Sequence, residues 1–394
     1  MSSDLRFYLR LPNLFSRLAP QGGHARMLVP LFLWQVANTL GFLAAALGSR
    51  LAGPASLRFE TPVSSAPPRM ITTSPVELTV AIPTWNGAER LPGLLAALKA
   101  QRAPGRSWEV LVVDNDSTDR TTDLVQEYGP ELLAGVALRR TREPLRGIGY
   151  ARQRAVEEAL GKRIAFLDDD TRPASDWVEQ ALSFLDGRPG VAALSGRIRP
   201  CFGGVPPAGF ERIASFFALF DHGDQPRPYD ASSFDLPPGA GLIVDRKAWL
   251  RHVPPVLRQA TGPGDDFEAL LHIHSAGGEI WYHPGLQLEH VIAPYRLEPT
   301  YLATLMRECG RCVCRLRLVG IRGLQRPIVV AKVVVGSLIK LLRLTASRAA
   351  GADLVTRCEL LFWWHATLSP VELLRKPSEV PLPQRMRLRN ASEL

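Results

Sequence analysis

The chain has 394 residues, of which 46% are hydrophobic and 22% are charged, and its formal net charge is +9. This composition is typical of a folded protein, and it excludes disordered, collagen-like and disulfide-rich chains. Five cysteines in such a length imply no disulfide framework, so a reducing compartment is favoured.

The N-terminal extension, residues 1–75, contains an uncharged apolar segment and a linker. Residues 27–49 carry no charged side chain, and at about 1.5 Å per residue they would reach roughly 35 Å, enough to cross a bilayer. Residues 61–75 contain four prolines and several serines, as linkers often do. Two alternatives remain open: the apolar segment lies in the membrane interface or re-enters it, or the functional chain begins at Met70.

From Val76 onward, short apolar segments alternate with helical segments. The predicted strands are residues 76–82, 108–113, 136–140, 163–167 and 191–195. The predicted helices are residues 91–100, 148–160, 176–185 and a segment after Asp119. This alternation predicts an α/β domain with a mainly parallel sheet over residues 76–300, followed by a helical region at 301–394. Such sheets bind their ligands at the carboxyl ends of the strands.

Polar and aromatic residues follow the first two predicted strands. Pro83 and Gly87 predict a tight turn after the first strand, with Trp85 available to stack on a flat ring. After the second strand, the Asp114 carboxylate is placed to accept hydrogen bonds from a base or a sugar. N-cap interactions with the next helix are predicted for Asp116, Ser117 and Asp119.

The fourth predicted strand runs directly into three adjacent carboxylates, Asp168, Asp169 and Asp170. Three neighbouring negative charges repel one another unless something cationic lies among them. Hard divalent cations take oxygen ligands and bridge phosphates, so this position favours a Mg²⁺ or Mn²⁺ site for a nucleotide diphosphate. A solvated acidic turn is the alternative.

Four segments in this order and spacing, VAIPTWNG, VVDNDSTD, GYARQRAVEEALG and FLDDD, resemble the inverting glycosyltransferases of family 2. Those enzymes have the GT-A fold of nucleotide-diphospho-sugar transferases. The later segment PPGAGLIVDRKAWL is similar to the family's acceptor-side element, and GPGDDFEALLHIHSAGGEIWYHP corresponds to its Glu-Asp motif, with Asp265 in place of the Glu. The segments RLEPTYLATLMRECG and TRCELLFWW more narrowly resemble the hormogonium-polysaccharide glycosyltransferases of filamentous cyanobacteria.

The resemblance covers about residues 76–370 and implies a role for each motif residue. It implies a donor-nucleotide site in which the nucleoside is held by Pro83, Trp85 and Asp114. The ribose would contact either Asp168 or Asp169, and the nucleotide would also meet Arg152, with Arg146 as the alternative. It implies a Mn²⁺ or Mg²⁺ ion held by Asp170 and His290, although a lone histidine is as often structural. A UDP-sugar is the favoured donor, and a glycan or lipid-linked glycan is the implied acceptor.

Direct displacement at an anomeric carbon needs a base on the acceptor hydroxyl and stabilisation of the departing diphosphate. The resemblance places Asp266 as that base, with Asp265 beside it. The alternative for this pair is an N-cap of a helix at residues 267–274, and capping is compatible with catalysis.

The C-terminal region is basic and apolar. Residues 296–394 contain 17 Lys and Arg against 7 Asp and Glu. Residues 328–344 are apolar apart from two lysines and an arginine, which predicts an amphipathic helix at an anionic membrane surface rather than a spanning helix or a nucleic-acid partner. A core helix is the alternative. Ordinary thiols, not zinc ligands, are expected for Cys309, Cys312 and Cys314.

Together these features predict a metal-dependent inverting hexosyltransferase at the cytoplasmic face of the cell membrane, acting in polysaccharide biosynthesis. A nucleotidyltransferase would also use an acidic cluster, but the segment PTWNGAER offers no lysine for a triphosphate. A catalytically inactive glycan-binding or scaffold protein is the third possibility.

Overall fold

The computed structural model describes residues 75–128, 136–347 and 353–374. The apolar segment 27–49 and the alternative start at Met70 lie outside these ranges. Residues 70–394 cluster as one compact unit.

The central feature is a mixed sheet with the strand order β3-β2-β1-β4-β8-β6-β9-β5, in which β7 also pairs with β9. The strands are β1 (Leu78–Thr84), β2 (Trp108–Asp114), β3 (Ala137–Arg142), β4 (Arg163–Phe166), β5 (Thr171–Pro173), β6 (Val191–Phe202), β7 (Arg227–Pro228), β8 (Leu242–Asp245) and β9 (Glu279–Ile292). The first four strands are parallel to one another, whereas β8 is antiparallel to both β4 and β6. The carboxyl ends of β1, β2 and β4 therefore lie at one edge, as the sequence predicts.

Helices cover both faces of the sheet. They are α1 (Leu91–Lys99), α2 (Thr121–Tyr128), α3 (Ile148–Glu158), α4 (Trp177–Asp186), α5 (Arg246–His252), α6 (Asp265–Ser275), α7 (Pro299–Arg317), α8 (Gln325–Ser347) and α9 (Leu354–Leu368). Strand β1 shows how the two faces form: Val80 and Ile82 pack with α1 and α4, whereas Ala81 packs with α3 and α6. Alternation along a strand thus fills two apolar cores.

Two elements are longer than predicted. Strand β6 continues to Phe202 because it pairs in parallel with β9 as far as Ile292. Helix α6 begins at Asp265, two residues before the predicted start, after Gly264 turns the backbone with φ 92°. Gly264 is the N-cap, so neither acid caps this helix in the way the alternative interpretation expects.

The C-terminal helices pack on the sheet domain and on each other. Leu302 and Met306 of α7 join an apolar cluster with Phe217 and with Val355 of α9. Close approach of α7 and α9 requires Gly310, where an added Cβ would lie 2.6 Å from the Phe362 carbonyl oxygen. Within the ranges that the structure describes, no helix combines the length and the apolar character needed to cross a membrane.

Candidate functional site

A cavity of about 540 Å³ lies at the carboxyl ends of β1 and β2. Its walls include Pro83 and Thr84 at the end of β1, Trp85 directly after it, Asn115 after β2, and Arg146 and Gly147 before α3. The volume is within the range of small-molecule sites in proteins, roughly 300–1,000 Å³. Of the residues predicted to bind the nucleotide, Pro83, Trp85 and the alternative Arg146 lie in this wall.

Trp85 and Arg146 form a flat cationic surface in the cavity wall. The Arg146 guanidinium carbon lies 3.7 Å from the centroid of the Trp85 ring, a cation–π contact. The ring nevertheless remains 49% exposed. An exposed aromatic side chain beside a guanidinium suits a ligand that combines a flat ring with negative charge.

The turn after β1 is held by the turn after β2. The backbone N–H groups of Asn86, Gly87 and Ala88 donate to the side chains of Ser117, Thr121 and Asp119, respectively. Asp119 also accepts from the N–H of Thr121, as predicted for a cap, whereas Asp116 pairs with Arg142 of β3 instead. Gly87 is required because an added Cβ would lie 2.1 Å from the Thr84 hydroxyl oxygen.

Asp114 has partners within its own loop. The buried carboxylate accepts hydrogen bonds from the N–H of Ser117, at 2.9 Å, and from the hydroxyl of Thr122, at 2.7 Å. Burial acts against the charge, but these hydrogen bonds and Arg140 outweigh it and lower the pKa of Asp114. These hydrogen bonds hold the loop after β2 in shape, and the nucleoside contact of Asp114 stays a prediction.

Asn115 is a site residue that the sequence analysis missed. Its side-chain amide donates to the carbonyl oxygens of Glu143 and Leu145, and its amide oxygen accepts from the N–H of Gly147. These bonds fix the loop that enters α3. Gly147, with φ 140°, lies so close to the Ala260 carbonyl that a Cβ would be 2.5 Å from its oxygen. The glycines at the start of α3 are the sequence feature from which this close packing could have been predicted.

Each of the three adjacent aspartates after β4 has its own arginine. Arg90 pairs with Asp169, Arg152 with Asp168, and Arg296 with Asp170. Three adjacent carboxylates require cationic groups among them, as the sequence indicates. In the described residues, guanidiniums supply these cations. The distance between the arginine nitrogen and the carboxylate oxygen is 2.7 Å for Asp169 and for Asp170, and 3.4 Å for Asp168.

Asp169 is fully engaged by protein groups. Arg90 donates to both of its carboxylate oxygens, at 2.7 and 2.9 Å, and the Thr84 hydroxyl donates to one of them at 2.6 Å. The side chain is buried. Of the two alternatives predicted for the ribose contact, the structure therefore leaves the more exposed Asp168 as the candidate.

Arg152 lies between the two acidic motifs. Its guanidinium donates to Asp265 at 2.7 Å and to Asp168 at 3.4 Å, and the side chain is buried. Gly239 is needed opposite it, because a Cβ there would lie 2.3 Å from Nη2 of Arg152. The contact of Arg152 with the nucleotide stays a prediction. In the structure, Arg152 joins Asp168 to Asp265, the neighbour of the predicted base.

The two acids at the start of α6 have different environments. Asp265 is buried against Arg152, and burial raises its pKa despite that partner. Asp266 is only partly buried, and its oxygens accept from the N–H of Gly239 at 2.5 Å and of Phe267 at 2.8 Å. Both hydrogen bonds and the helix N-terminus stabilise a carboxylate that still has lone pairs for an incoming hydroxyl.

Asp170 lies directly before β5, and His290 lies on the neighbouring strand β9. Oδ2 of Asp170 is 3.4 Å from Nε2 of His290, because β5 and β9 pair in antiparallel register. Nδ1 of His290 contacts the Phe217 carbonyl oxygen at 2.8 Å, which only accepts, so Nδ1 carries a hydrogen and Nε2 faces Asp170 and Arg296. A ring oriented by a carbonyl in this way is the usual state of a metal-binding histidine.

This pair fits a hard or borderline divalent cation. The described residues contain no cluster of three or more His, Cys, Asp or Glu side chains around a common centre. Mg²⁺ and similar ions are, however, commonly held by one or two protein ligands together with substrate phosphates and water. Burial opposes the charge of Asp170, but its surroundings, including the guanidiniums of Arg296 and Arg90, outweigh burial and lower its pKa.

The three cysteines of α7 have no metal-binding arrangement. Cys309, Cys312 and Cys314 are free thiols. Burial raises the pKa of Cys309 to about 12, and that of Cys314 similarly. Thiols that stay protonated at neutral pH are poor metal ligands.

Sequence comparison identifies the domain. Residues 79–234 match the family described as Glycosyl transferase family 2. The chain is 32% identical to the glycosyltransferase AglE of Haloferax volcanii over 126 residues, which are 31% of this chain and 39% of AglE. It is 24% identical to the succinoglycan biosynthesis protein ExoM of Rhizobium meliloti over 255 residues, which are 64% of this chain and 78% of ExoM. The chain thus spans less than half of AglE.

A solved structure shows the same fold. The mannosyltransferase PcManGT of Pyrobaculum calidifontis, in complex with GDP-Man and Mn²⁺, superposes with a TM-score of 0.51 at 19% identity. The match covers 88% of this chain and 97% of that one. Residues 79–234 therefore resemble glycosyl transferase family 2, and the chain shares the GT-A fold of the mannosyltransferase.

Proposed function

We propose that the protein is an inverting glycosyltransferase that moves a hexose from a nucleotide diphosphate to a glycan or lipid-linked glycan. The observation that carries the proposal is the link through Arg152 between the acids after β4 and the acids at the start of α6. Through this link one guanidinium holds the donor-side and acceptor-side acids close together, next to a cavity that suits a nucleotide.

The base of the reaction is Asp266. The acceptor hydroxyl gives its proton to this carboxylate as its oxygen forms a bond to the anomeric carbon. The bond from that carbon to the diphosphate oxygen breaks, and the nucleoside diphosphate leaves with the electron pair. Attack from the face opposite the leaving group inverts the anomeric centre. Asp265 positions Asp266 through the shared start of α6 and does not itself reach the cavity.

The cofactor of the proposal is Mn²⁺ or Mg²⁺, held by Asp170 and His290. When bound, such an ion neutralises the charge that develops on the departing diphosphate. The protein's own residues orient the donor: Trp85 and Arg146 receive the base, and Asp168 receives the ribose. PcManGT is a relative in fold that binds GDP-Man and Mn²⁺. A UDP-sugar remains our favoured donor, because it is the commoner choice in the family that the sequence resembles.

A donor panel tests the proposed activity. The purified chain is incubated with Mn²⁺ and UDP-, GDP- or dTDP-sugars, and release of nucleoside diphosphate is measured with and without glycan acceptors. We expect release with one donor class and its loss in Asp170→Asn. Release of pyrophosphate from a nucleoside triphosphate would favour a nucleotidyltransferase, and binding of glycans without any release would favour an inactive scaffold.

We also propose that the protein binds the cytoplasmic face of the membrane through α8. One side of this helix is buried on α7, through Val330 and Val333. On the exposed side is an apolar surface formed by Ile328, Val335, Ile339 and Leu342. Lys332 and Arg343 lie beside it, and residues 325–347 contain no acid. Apolar side chains flanked by basic ones favour an anionic lipid surface.

Vesicle sedimentation tests the membrane proposal. The full chain and a chain beginning at Met70 are mixed with vesicles that contain phosphatidylglycerol or only phosphatidylcholine. We expect Ile339→Glu to reduce binding to the anionic vesicles in both chains. The control is Val205→Glu, since Val205 is 92% exposed but lies far from α8 in sequence. Equal binding by both variants would refute the role of α8.

A further inference from the structure

Arg296 occupies a position that a metal ion would also need. Its Nη1 donates to Oδ2 of Asp170 at 2.7 Å and to Nε2 of His290 at 3.0 Å. These two atoms are the ligands assigned above to a divalent cation. A metal bonds such ligands at about 2.0–2.2 Å. A metal bonded to both atoms would overlap the guanidinium nitrogen that contacts both.

The position of Arg296 is built into the fold. The residue lies in the short helical turn Pro294–Leu297, directly after the strand that carries His290. Its Nε donates to the Tyr301 hydroxyl at 3.0 Å, and the guanidinium carbon lies 5.6 Å from the ring centroids of Phe217 and Tyr301. The side chain is only 15% exposed. Arg296 is thus a desolvated cation aimed at the two ligands.

The other two arginines of the triplet differ from Arg296. Arg90 is fixed by both oxygens of Asp169 and by the Trp85 carbonyl. Arg152 is fixed by a second acid, Asp265. Arg296 alone of the three donates to a histidine nitrogen, an uncharged acceptor that a divalent ion would bind more strongly. Of the three guanidiniums, it is the one that a metal can replace.

We propose that Arg296 is a resident cation of the Asp170–His290 site, which a divalent metal must displace. The inference rests on the metal site of the proposed function. Displacement leaves the guanidinium of Arg296 without its carboxylate partner. The donor's diphosphate is the anion that can then balance the positive charge of this guanidinium. Metal alone therefore binds weakly, and metal binds well when a nucleoside diphosphate is present. Because of Arg296, tight binding of the metal therefore requires that the donor's diphosphate be bound as well.

Titration of Mn²⁺, followed by the electron paramagnetic resonance of the free ion, tests this proposal without any activity measurement. In the absence of nucleotide, we expect Arg296→Gln to bind Mn²⁺ about tenfold or more tightly than the wild-type chain. Adding UDP should strengthen Mn²⁺ binding more in the wild type than in the variant. The control is Arg172→Gln, which removes an equal charge from an exposed position on β5; its affinity should change by less than about threefold.

A milder variant guards against misfolding of Arg296→Gln. Tyr301→Phe keeps the charge of Arg296 but removes the acceptor of its Nε, so Mn²⁺ binding should strengthen by a few fold. Unchanged or weaker Mn²⁺ binding in both variants would overturn the proposal, as would an equal gain in Arg172→Gln. Tight Mn²⁺ binding by the wild-type chain without UDP would also overturn it. Failure of the donor panel, in contrast, would not alter the Mn²⁺ titration.

Discussion

The acids of the site form two groups that are neighbours in sequence but differ in burial. Each acidic motif has one buried member that holds a loop or an arginine: Asp114, Asp169 and Asp265. Each of the two later motifs also has members that remain partly exposed: Asp168, Asp170 and Asp266. The buried acids are enclosed with their protein donors, so they build the site. The partly exposed acids also have protein partners, but their side chains stay accessible to a ligand.

The largest effect is expected where an exposed acid acts on the substrate. Asp266→Asn should lower the rate of sugar transfer by about 10²- to 10⁴-fold, the usual contribution of a general base. UDP affinity should stay within about twofold, because the cavity wall is unchanged. Transfer is measured in single turnover and UDP affinity by calorimetry. A matching loss of UDP affinity would place Asp266 on the donor side and contradict its assignment.

A buried acid should instead affect stability. Asp265→Asn removes the nearer of the two acids that pair with the buried Arg152 and should lower the free energy of unfolding by about 1–3 kcal/mol. The exposed pair of Asp186 with Arg106 provides the control, since Asp186→Asn should cost less than about 1 kcal/mol. Urea-induced unfolding measures both. If the two variants lost equal stability, the distinction between buried and exposed acids would fail for this motif.

A substitution in the cavity wall should have a smaller effect, and it should change only the affinity for the donor. Trp85→Ala removes the exposed ring and should weaken UDP binding by about 1–2 kcal/mol, the range found for stacking of a base on an aromatic side chain. Trp85→Phe keeps a ring and should retain most of the affinity. Calorimetric titration with UDP distinguishes them. Wild-type affinity in Trp85→Ala would show that the nucleoside binds elsewhere.

The smallest effect is a change in pH dependence. The pKa of Asp114 is lower in the folded chain than in the unfolded chain, so its contribution to stability is present above about pH 4 and is lost as the pH falls below it. Asp114→Asn should therefore reduce the free energy of unfolding at pH 7 more than at pH 3. Urea titrations at both values test the sign. An equal loss at the two pH values would contradict the assignment.

Much of the sheet domain could be predicted from the sequence because its signals are local. The apolar run that forms β1 and the amphipathic period of α1 lie within single elements. The pairing of β6 with β9 could not be predicted, since it joins residues about ninety positions apart and depends on the whole sheet. The C-terminal end of β6 was missed for this reason.

The residue types of the site could be predicted, but not their division of labour. Asp168 and Asp169 are adjacent and chemically identical, and only the fold places Arg90 against one of them. Likewise, the contact between Arg296 and Asp170 spans 126 positions and depends on the pairing of β5 with β9. The role of Asn115 was not predicted, because its partners lie in the loop after the next strand.

The most direct test of the account is the anomalous diffraction of crystals soaked with Mn²⁺ and UDP. The account predicts one Mn²⁺ peak within bonding distance of Asp170 and His290, the uracil against Trp85, and no metal on the buried acids. A peak bound to Asp114 or Asp265, or UDP bound without contact to the exposed acids, would contradict it.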